Sequence, residues 1–169
     1  MTPPTPNAIL TPAQVEQKIR RIAFEVYENH FDETGLVLAG VEGQGLGFAR
    51  RLAGHLRAIS PLQVEVVELS IDKTQPNARP VTFDQPAETL EGRCIVVCDD
   101  VLYTGRTLAY SLSPFFQFIP KKLQVAVIVD RGYRRYPVSA DYVGYALATT
   151  LSEHVEVVLE GKEAGVFLS

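Results

Sequence analysis

Cysteine is scarce in this sequence, and its placement excludes most of what cysteine does. The two thiols, Cys94 and Cys98, share one apolar run. On a strand rising about 3.3 Å per residue their Cα atoms stand roughly 13 Å apart, whereas a disulfide needs less than about 7 Å. They also lack the spacing of a zinc pair with partners elsewhere. They read as two small apolar residues on one strand face, in a chain suited to a reducing cytoplasm. No apolar run reaches the roughly 18 residues that a membrane span needs. The opening Met1-Thr2-Pro3-Pro4-Thr5-Pro6 lacks the basic and apolar regions of a signal peptide. Residues 1–10 are expected to form a flexible tail before a single domain over 11–169. An excess of positive charge is missing as well. The net charge of -4 argues against indiscriminate nucleic-acid binding. The sequence contains no internal repeat and no low-complexity stretch.

What remains is an ordinary globular composition, 46% hydrophobic and 21% charged, enough to bury a core. Thr11-Pro12-Ala13-Gln14 predicts a helix start, with Thr11 as N-cap, Pro12 in the first turn and Gln14 closing a capping box. Val15, Ile19, Ile22, Ala23 and Val26 continue at helical spacing, so the helix should run to about Asn29. Leu36–Gly40, Val64–Ile71, Cys94–Cys98 and Leu123–Val129 are apolar runs of strand length. Fully apolar strands belong at a sheet centre covered on both faces. Helices are expected around Phe48–Ile59 and from Arg106 to about Phe118, the latter kinked or divided at Pro114. Pro80–Phe83, Tyr142–Tyr145 and Val155–Leu159 are also strand-like. Asp72–Ala78 reads as a mobile polar loop. Strands alternating with helices predict an α/β domain with a mainly parallel sheet.

In such sheets ligands bind beyond the carboxyl ends of the strands. Three polar turns fall there: Val41–Gly45, Asp99–Thr107 and Asp130–Arg135. They are expected to converge on one site. The second is the most informative. Gly105 lets the backbone turn with its N–H groups aimed one way. The helix that follows adds its positive end, and Thr104 and Thr107 add hydroxyl donors. This is a phosphate cradle. Asp99 and Asp100 would repel a phosphate. They suit ribose hydroxyls, or a magnesium ion held through water. A ligand with both hydroxyls and a phosphate, such as a ribose 5-phosphate, satisfies both halves.

Asp99-Asp100-Val101-Leu102-Tyr103-Thr104-Gly105-Arg106-Thr107 resembles the phosphoribosyl pyrophosphate (PRPP) motif of type I phosphoribosyltransferases. Nearly the whole chain is similar to the pyrimidine operon attenuation regulator family (PyrR), whose members have uracil phosphoribosyltransferase activity. Ile9-Leu10-Thr11, Arg21-Ile22-Ala23, Leu123-Gln124-Val125-Ala126-Val127, Val129-Asp130-Arg131-Gly132-Tyr133-Arg134 and Ala140-Asp141-Tyr142-Val143-Gly144 follow that family's order. The resemblance implies a parallel sheet flanked by helices with a small hood, and a homodimer or higher homo-oligomer. It implies transfer of the ribose 5-phosphate of PRPP to uracil, giving uridine monophosphate and pyrophosphate. Asp99 and Asp100 would hold the ribose diol. Tyr103, Thr104, Gly105, Arg106 and Thr107 would bind the 5-phosphate side. Magnesium would come in with PRPP, with Asp99, Asp100 and Asp130 as possible protein contacts. Asp130, Arg131 and Tyr133 would lie by the base. Purine enzymes of this type usually carry an acid where Tyr103 stands, to protonate the ring. A tyrosine, with a pKa of about 10, does not do this readily near neutral pH.

The sequence departs from that family at three places. The pyrophosphate loop, usually Lys-Thr-Arg-Gly, reads Glu42-Gly43-Gln44-Gly45. Each lost charge-assisted contact costs roughly 1.5–3 kcal/mol. Gly43 and Gly45 still offer N–H groups, and Glu42 either points away or ligates magnesium. Asp72-Lys73 replaces the usual tyrosine and arginine of the mobile loop, leaving Lys73 as the cation to clamp the leaving group, without an arginine's bidentate fork. Phe24, Ser139 and Tyr145 replace basic or polar residues of the family's RNA-binding face. Fewer phosphate contacts weaken RNA binding steeply at physiological salt, so RNA-dependent attenuation is not expected. A nucleotide-sensing or RNA-binding regulator of pyrimidine synthesis with weak or no turnover is the alternative to the enzyme.

Overall fold

The computed structural model describes residues 7–150 and 152–169. Strands β1 (Asn7–Leu10), β2 (Gly35–Val41), β3 (Gln63–Ser70), β4 (Thr82–Phe83), β5 (Cys94–Leu102), β6 (Lys122–Asp130), β7 (Tyr142–Ala146), β8 (Val155–Val158) and β9 (Gly165–Leu168) alternate with helices α1 (Pro12–Glu28), α2 (Gln44–Ile59) and α3 (Arg106–Ser111). Six strands form the main sheet in the order β4-β3-β2-β5-β6-β7. All its pairs are parallel except the short edge strand β4. A second, antiparallel sheet has the order β1-β9-β8 and forms the hood.

Strand alternation explains the layers. On β5, Cys94, Val96 and Cys98 enter one core with α1, α2 and the hood strands. Ile95 and Val97 enter the other, with Leu90, Leu108 and Phe115. Both cysteines are buried and unpaired, on the same face of the strand. Helix α1 begins as its sequence predicts. The Thr11 side chain accepts from the Gln14 N–H, and the Gln14 side chain accepts from the Thr11 N–H. Asn29 caps its end. The stretch after Gly105 is divided rather than continuous. The α-helix stops at Ser111 and a 3-10 helix with Pro114 in its first turn spans Ser113–Gln117, as a proline lacking its N–H requires.

Two expectations need correction. Residues 7–10 are not a tail: Asn7–Leu10 pairs with β9, and Leu10 is buried in the shared core. The partner strand lies at the far end of the chain, so nothing local reveals the pairing. Residues 1–6 lie outside the described part. Helix α2 starts at Gln44 rather than near Phe48, because the glycines of its first turn let the backbone pack tightly. A Cβ on Gly45 would lie 2.8 Å from the Cys98 carbonyl and 3.1 Å from Asp99 Oδ1.

Candidate functional site

Because β2, β5 and β6 run parallel, their carboxyl ends meet on one edge of the sheet. Strand β5 continues through both acids to Leu102, so Asp99 and Asp100 sit on the strand and not beyond it. Asp99 is buried, with 3% of its surface exposed. Its Oδ1 accepts the Asp100 N–H at 2.9 Å, and Asp100 Oδ1 accepts the Val101 N–H at 2.9 Å. Burial, and then the neighbouring Asp100 charge, push the Asp99 carboxyl well above the usual carboxylate range, while Lys73 opposes the shift. A site that holds this pair as anions needs a cation or hydroxyl donors beside it.

A cleft of about 400 Å³ opens beside Asp99 and is lined by Thr104, Gly105, Arg106, Thr107 and Arg135, among others. Gly105 caps α3 with φ 89° and ψ 0°, a left-handed conformation suited to glycine. The Thr104 carbonyl accepts from the Arg135 and Tyr136 N–H groups, tying this loop to the one after β6. The Arg106 guanidinium reaches the segment after β3: its Nη2 donates to the Lys73 and Thr74 carbonyls at 3.0 and 3.3 Å.

A second cleft of about 590 Å³ adjoins the first through Val101 and Tyr103. Gln44, Asp100 and Arg131 line it from the main sheet side, and residues 152–157 close it from the hood. Tyr103 therefore stands between the two clefts. It is held in a stack: the Arg131 guanidinium lies 3.8 Å from its ring centre, and the Tyr133 ring centre is 5.4 Å away. The Arg135 guanidinium lies over the Tyr133 ring at 5.5 Å. Arg131 is itself buried. It donates to the Thr149 hydroxyl at 2.8 Å and to the Glu153 carbonyl, so it binds the hood segment to the base of the second cleft.

Asp130 is placed differently from the other acids. Its Oδ1 accepts the Gly132 N–H at 2.8 Å and its Oδ2 pairs with Arg134 at 2.7 Å. Arg134 in turn donates to the Tyr103 and Val138 carbonyls. Asp130 thus shapes its own loop, and neither it nor Tyr133 lines either cleft.

In the loop after β2, Gly43 has φ 92° and ψ -133° as it caps α2. Glu42 points away from the clefts. Its Oε1 accepts the Ile71 N–H at 2.8 Å and pairs with Arg79 at 3.4 Å. Lys73 faces this loop, since a Cβ on Gly43 would lie 3.9 Å from its Nζ. Asp99 and Asp100, Tyr103–Thr107, Lys73 and the 42–45 loop are therefore brought together, and Arg131 joins them from below the hood.

Residues 152–157, including His154, escape the sequence reading. Val155–Leu159 has strand character, but no local signal says that it folds over the clefts. Burial pushes the Cys98 thiol up, which leaves it no role as a nucleophile. Among the described residues no group of three or more His, Cys, Asp or Glu forms a metal cage. The Asp99 and Asp100 oxygens suit an ion shared with phosphates.

The fold agrees with comparisons to known proteins. The profile of the phosphoribosyl transferase domain matches residues 7–160. "Bifunctional protein pyrR" of Enterococcus faecalis is 33% identical over 158 residues, covering 88% of this chain and 87% of the relative. The protein of the same name from Pelotomaculum thermopropionicum is 36% identical over 170 residues, covering 95% and 94%. Among solved structures, a hypoxanthine phosphoribosyltransferase of Trypanosoma cruzi superimposes with TM-score 0.77 at 19% identity, covering 96% and 95% of the two chains. A hypoxanthine-guanine phosphoribosyltransferase of Bacillus anthracis gives 0.74 at 20%, covering 95% and 96%. At such identities the structures share the fold alone. The matched domain and the coverage by PyrR relatives together place this chain in the phosphoribosyl transferase domain family, as a member of its PyrR group.

Proposed function

We propose that this protein transfers the ribose 5-phosphate of PRPP to uracil, forming uridine monophosphate and pyrophosphate. The observation that carries the proposal is the pair of joined clefts. One is a threonine-glycine cradle beside Asp99; the other lies under the hood beside Asp100, and Tyr103 divides them. The 5-phosphate binds the N–H and hydroxyl donors of Thr104–Thr107. The ribose diol faces Asp99 and Asp100. Uracil enters the second cleft beside the Tyr103–Arg131 stack, with Tyr103 at the position where purine enzymes of this type usually carry an acid.

The bond between the sugar C1 carbon and the pyrophosphate oxygen breaks, and its electron pair leaves with pyrophosphate. The uracil N1 bonds to C1 and gives up its proton to the leaving pyrophosphate or to solvent. Positive charge that develops on the sugar is stabilised by the two carboxylates, held in place before the reaction starts. Asp99 and Asp100 fit magnesium, directly or through water, and the ion when bound would neutralise charge on the leaving pyrophosphate. Lys73 lies close to Gly43 and supplies positive charge on that side. Asp130, with both oxygens engaged, keeps its loop in shape.

The carboxylate of Glu42, in a loop where the family carries cations, favours slow turnover and supports a second reading, a nucleotide sensor. Uracil-dependent pyrophosphate release from PRPP supports the enzyme. Tight binding of uridine monophosphate without release supports the sensor. Asp100→Asn should weaken binding of uridine monophosphate about tenfold or more with little loss of stability; unchanged binding contradicts the assignment.

We place the protein in the reducing cytoplasm on the strength of its unpaired, buried thiols. We propose that it is a homodimer or larger homo-oligomer, supported by exposed Phe24, Phe31, Phe116 and Ile119; a monomeric mass by light scattering contradicts this.

A further inference from the structure

The segment 71–79 follows β3 and carries Lys73. Asp72 starts it with a tight turn, its Oδ1 accepting the Thr74 and Gln75 N–H groups at 3.0 Å. Pro76 is buried, whereas Lys73, Thr74 and Gln75 are exposed. So short a turn cannot direct one lysine by itself. Two external anchors do so. Arg106, in the phosphate cradle, donates to the Lys73 and Thr74 carbonyls. Glu42, in the loop before α2, takes the Ile71 N–H and the Arg79 guanidinium at the two ends of the segment. Arg79 also donates to the Ser70 hydroxyl at 2.9 Å, which fixes its direction. Between these anchors Lys73 faces Gly43, and its charge bears on Asp99.

We propose that Glu42 and Arg79 are positioning residues: their ion pair latches the 71–79 segment beside the site and delivers Lys73 as the cation that the 42–45 loop does not carry. The inference rests on the transferase reading for what Lys73 does, but not for the latch itself. The carboxylate at position 42 is then the clasp for a cation from elsewhere in the chain. Arg79 acts through Lys73 and does not touch the leaving group. Since the pair is half-exposed, its effect is modest and sensitive to salt.

The latch is read without any ligand, by hydrogen exchange of amides 72–79 in the full chain. Arg79→Ala and Glu42→Gln should each speed that exchange by about twofold to fivefold, with amides of β5 and α2 unchanged. Exchange equal to that of the unmodified protein overturns the proposal. Glu42→Lys separates the latch from simple charge. It should loosen the segment and raise the KM for PRPP. A lowered KM with unchanged exchange would mean that position 42 acts by its own charge. A double-mutant cycle completes the test, using the KM for PRPP or, in the absence of turnover, the Kd for pyrophosphate. Adding Arg79→Ala to Lys73→Ala should cost little more than Lys73→Ala alone. Full additivity would make Arg79 an independent ligand and overturn its positioning role. If exchange responds but the unmodified protein releases no pyrophosphate, the latch stands and the transferase reading falls.

Discussion

The loops after β2 and β5 use the same backbone device and arrive at opposite chemistries. Each ends a parallel strand, turns at a glycine of positive φ, and opens a helix: Gly43 before α2 and Gly105 before α3. The 99–107 loop supplies its own ligand groups: two carboxylates, two threonine hydroxyls and the N–H donors of the turn. The 42–45 loop supplies no cation, only backbone donors, the neutral Gln44 amide and a carboxylate already engaged by Ile71 and Arg79. A phosphate site can be built locally when a short stretch holds the right residues. Otherwise charge has to come from a distant segment, here Lys73.

That contrast can be broken in graded steps. The largest loss is expected at Asp99, in the self-sufficient loop. Asp99→Asn should lower kcat/KM by about 100-fold to 1000-fold, the scale of a lost electrostatic contact in the transition state. The same change should stabilise the fold. Burial raises the Asp99 pKa in the folded state. Over the pH range from the ordinary carboxylate value, about 3.9, up through the raised one, the folded protein therefore holds more protons than the unfolded. Stability falls as pH rises through that window. Asn has no such proton, so the Tm advantage of Asp99→Asn should be absent in acid and grow as pH rises through that window. A Tm gap that does not change with pH contradicts this.

Lys73→Ala strikes the borrowed charge. It should raise the KM for PRPP by about tenfold to 100-fold, the equivalent of one charge-assisted contact, and leave the KM for uracil unchanged. Tyr103→Ala removes the ring between the clefts. Losing the cation–π contact with Arg131 should raise the KM for uracil by about threefold to tenfold, and the KM for PRPP less. The backbone device itself is read in stability and not in kinetics. Gly43, with ψ -133°, lies where side chains are almost never found, whereas Gly105, with ψ 0°, is in the milder left-handed region. Gly43→Ala should cost about 2–3 kcal/mol and Gly105→Ala about 1 kcal/mol, read as midpoints in denaturant. Equal losses would mean that the two turns are not strained as described.

The parts legible from sequence were those written in local patterns. The capping box at Thr11, the apolar period of α1 and the unbroken apolar run of β5 each name their element directly. The phosphate cradle was legible for the same reason, since its donors and acids occupy one continuous stretch. What was hidden depends on distant partners. Strand β1 is defined by β9, and the wall of the second cleft by residues 152–157, which Arg131 holds in place. Asp130, which the family resemblance puts beside the metal and the base, has both oxygens engaged by Gly132 and Arg134, neither of which its local sequence specifies. Glu42 left two possibilities open, and its contacts with Ile71 and Arg79 select the one in which it points away.

The central claim is that the joined clefts bind PRPP on one side of Tyr103 and a pyrimidine on the other. It is tested most directly by measuring pyrophosphate release from PRPP with magnesium, in parallel with uracil, hypoxanthine, guanine and no base. The account predicts release that depends on uracil and exceeds the purine reactions by at least an order of magnitude. Release supported equally well by a purine, or no release despite tight binding of uridine monophosphate, would contradict it.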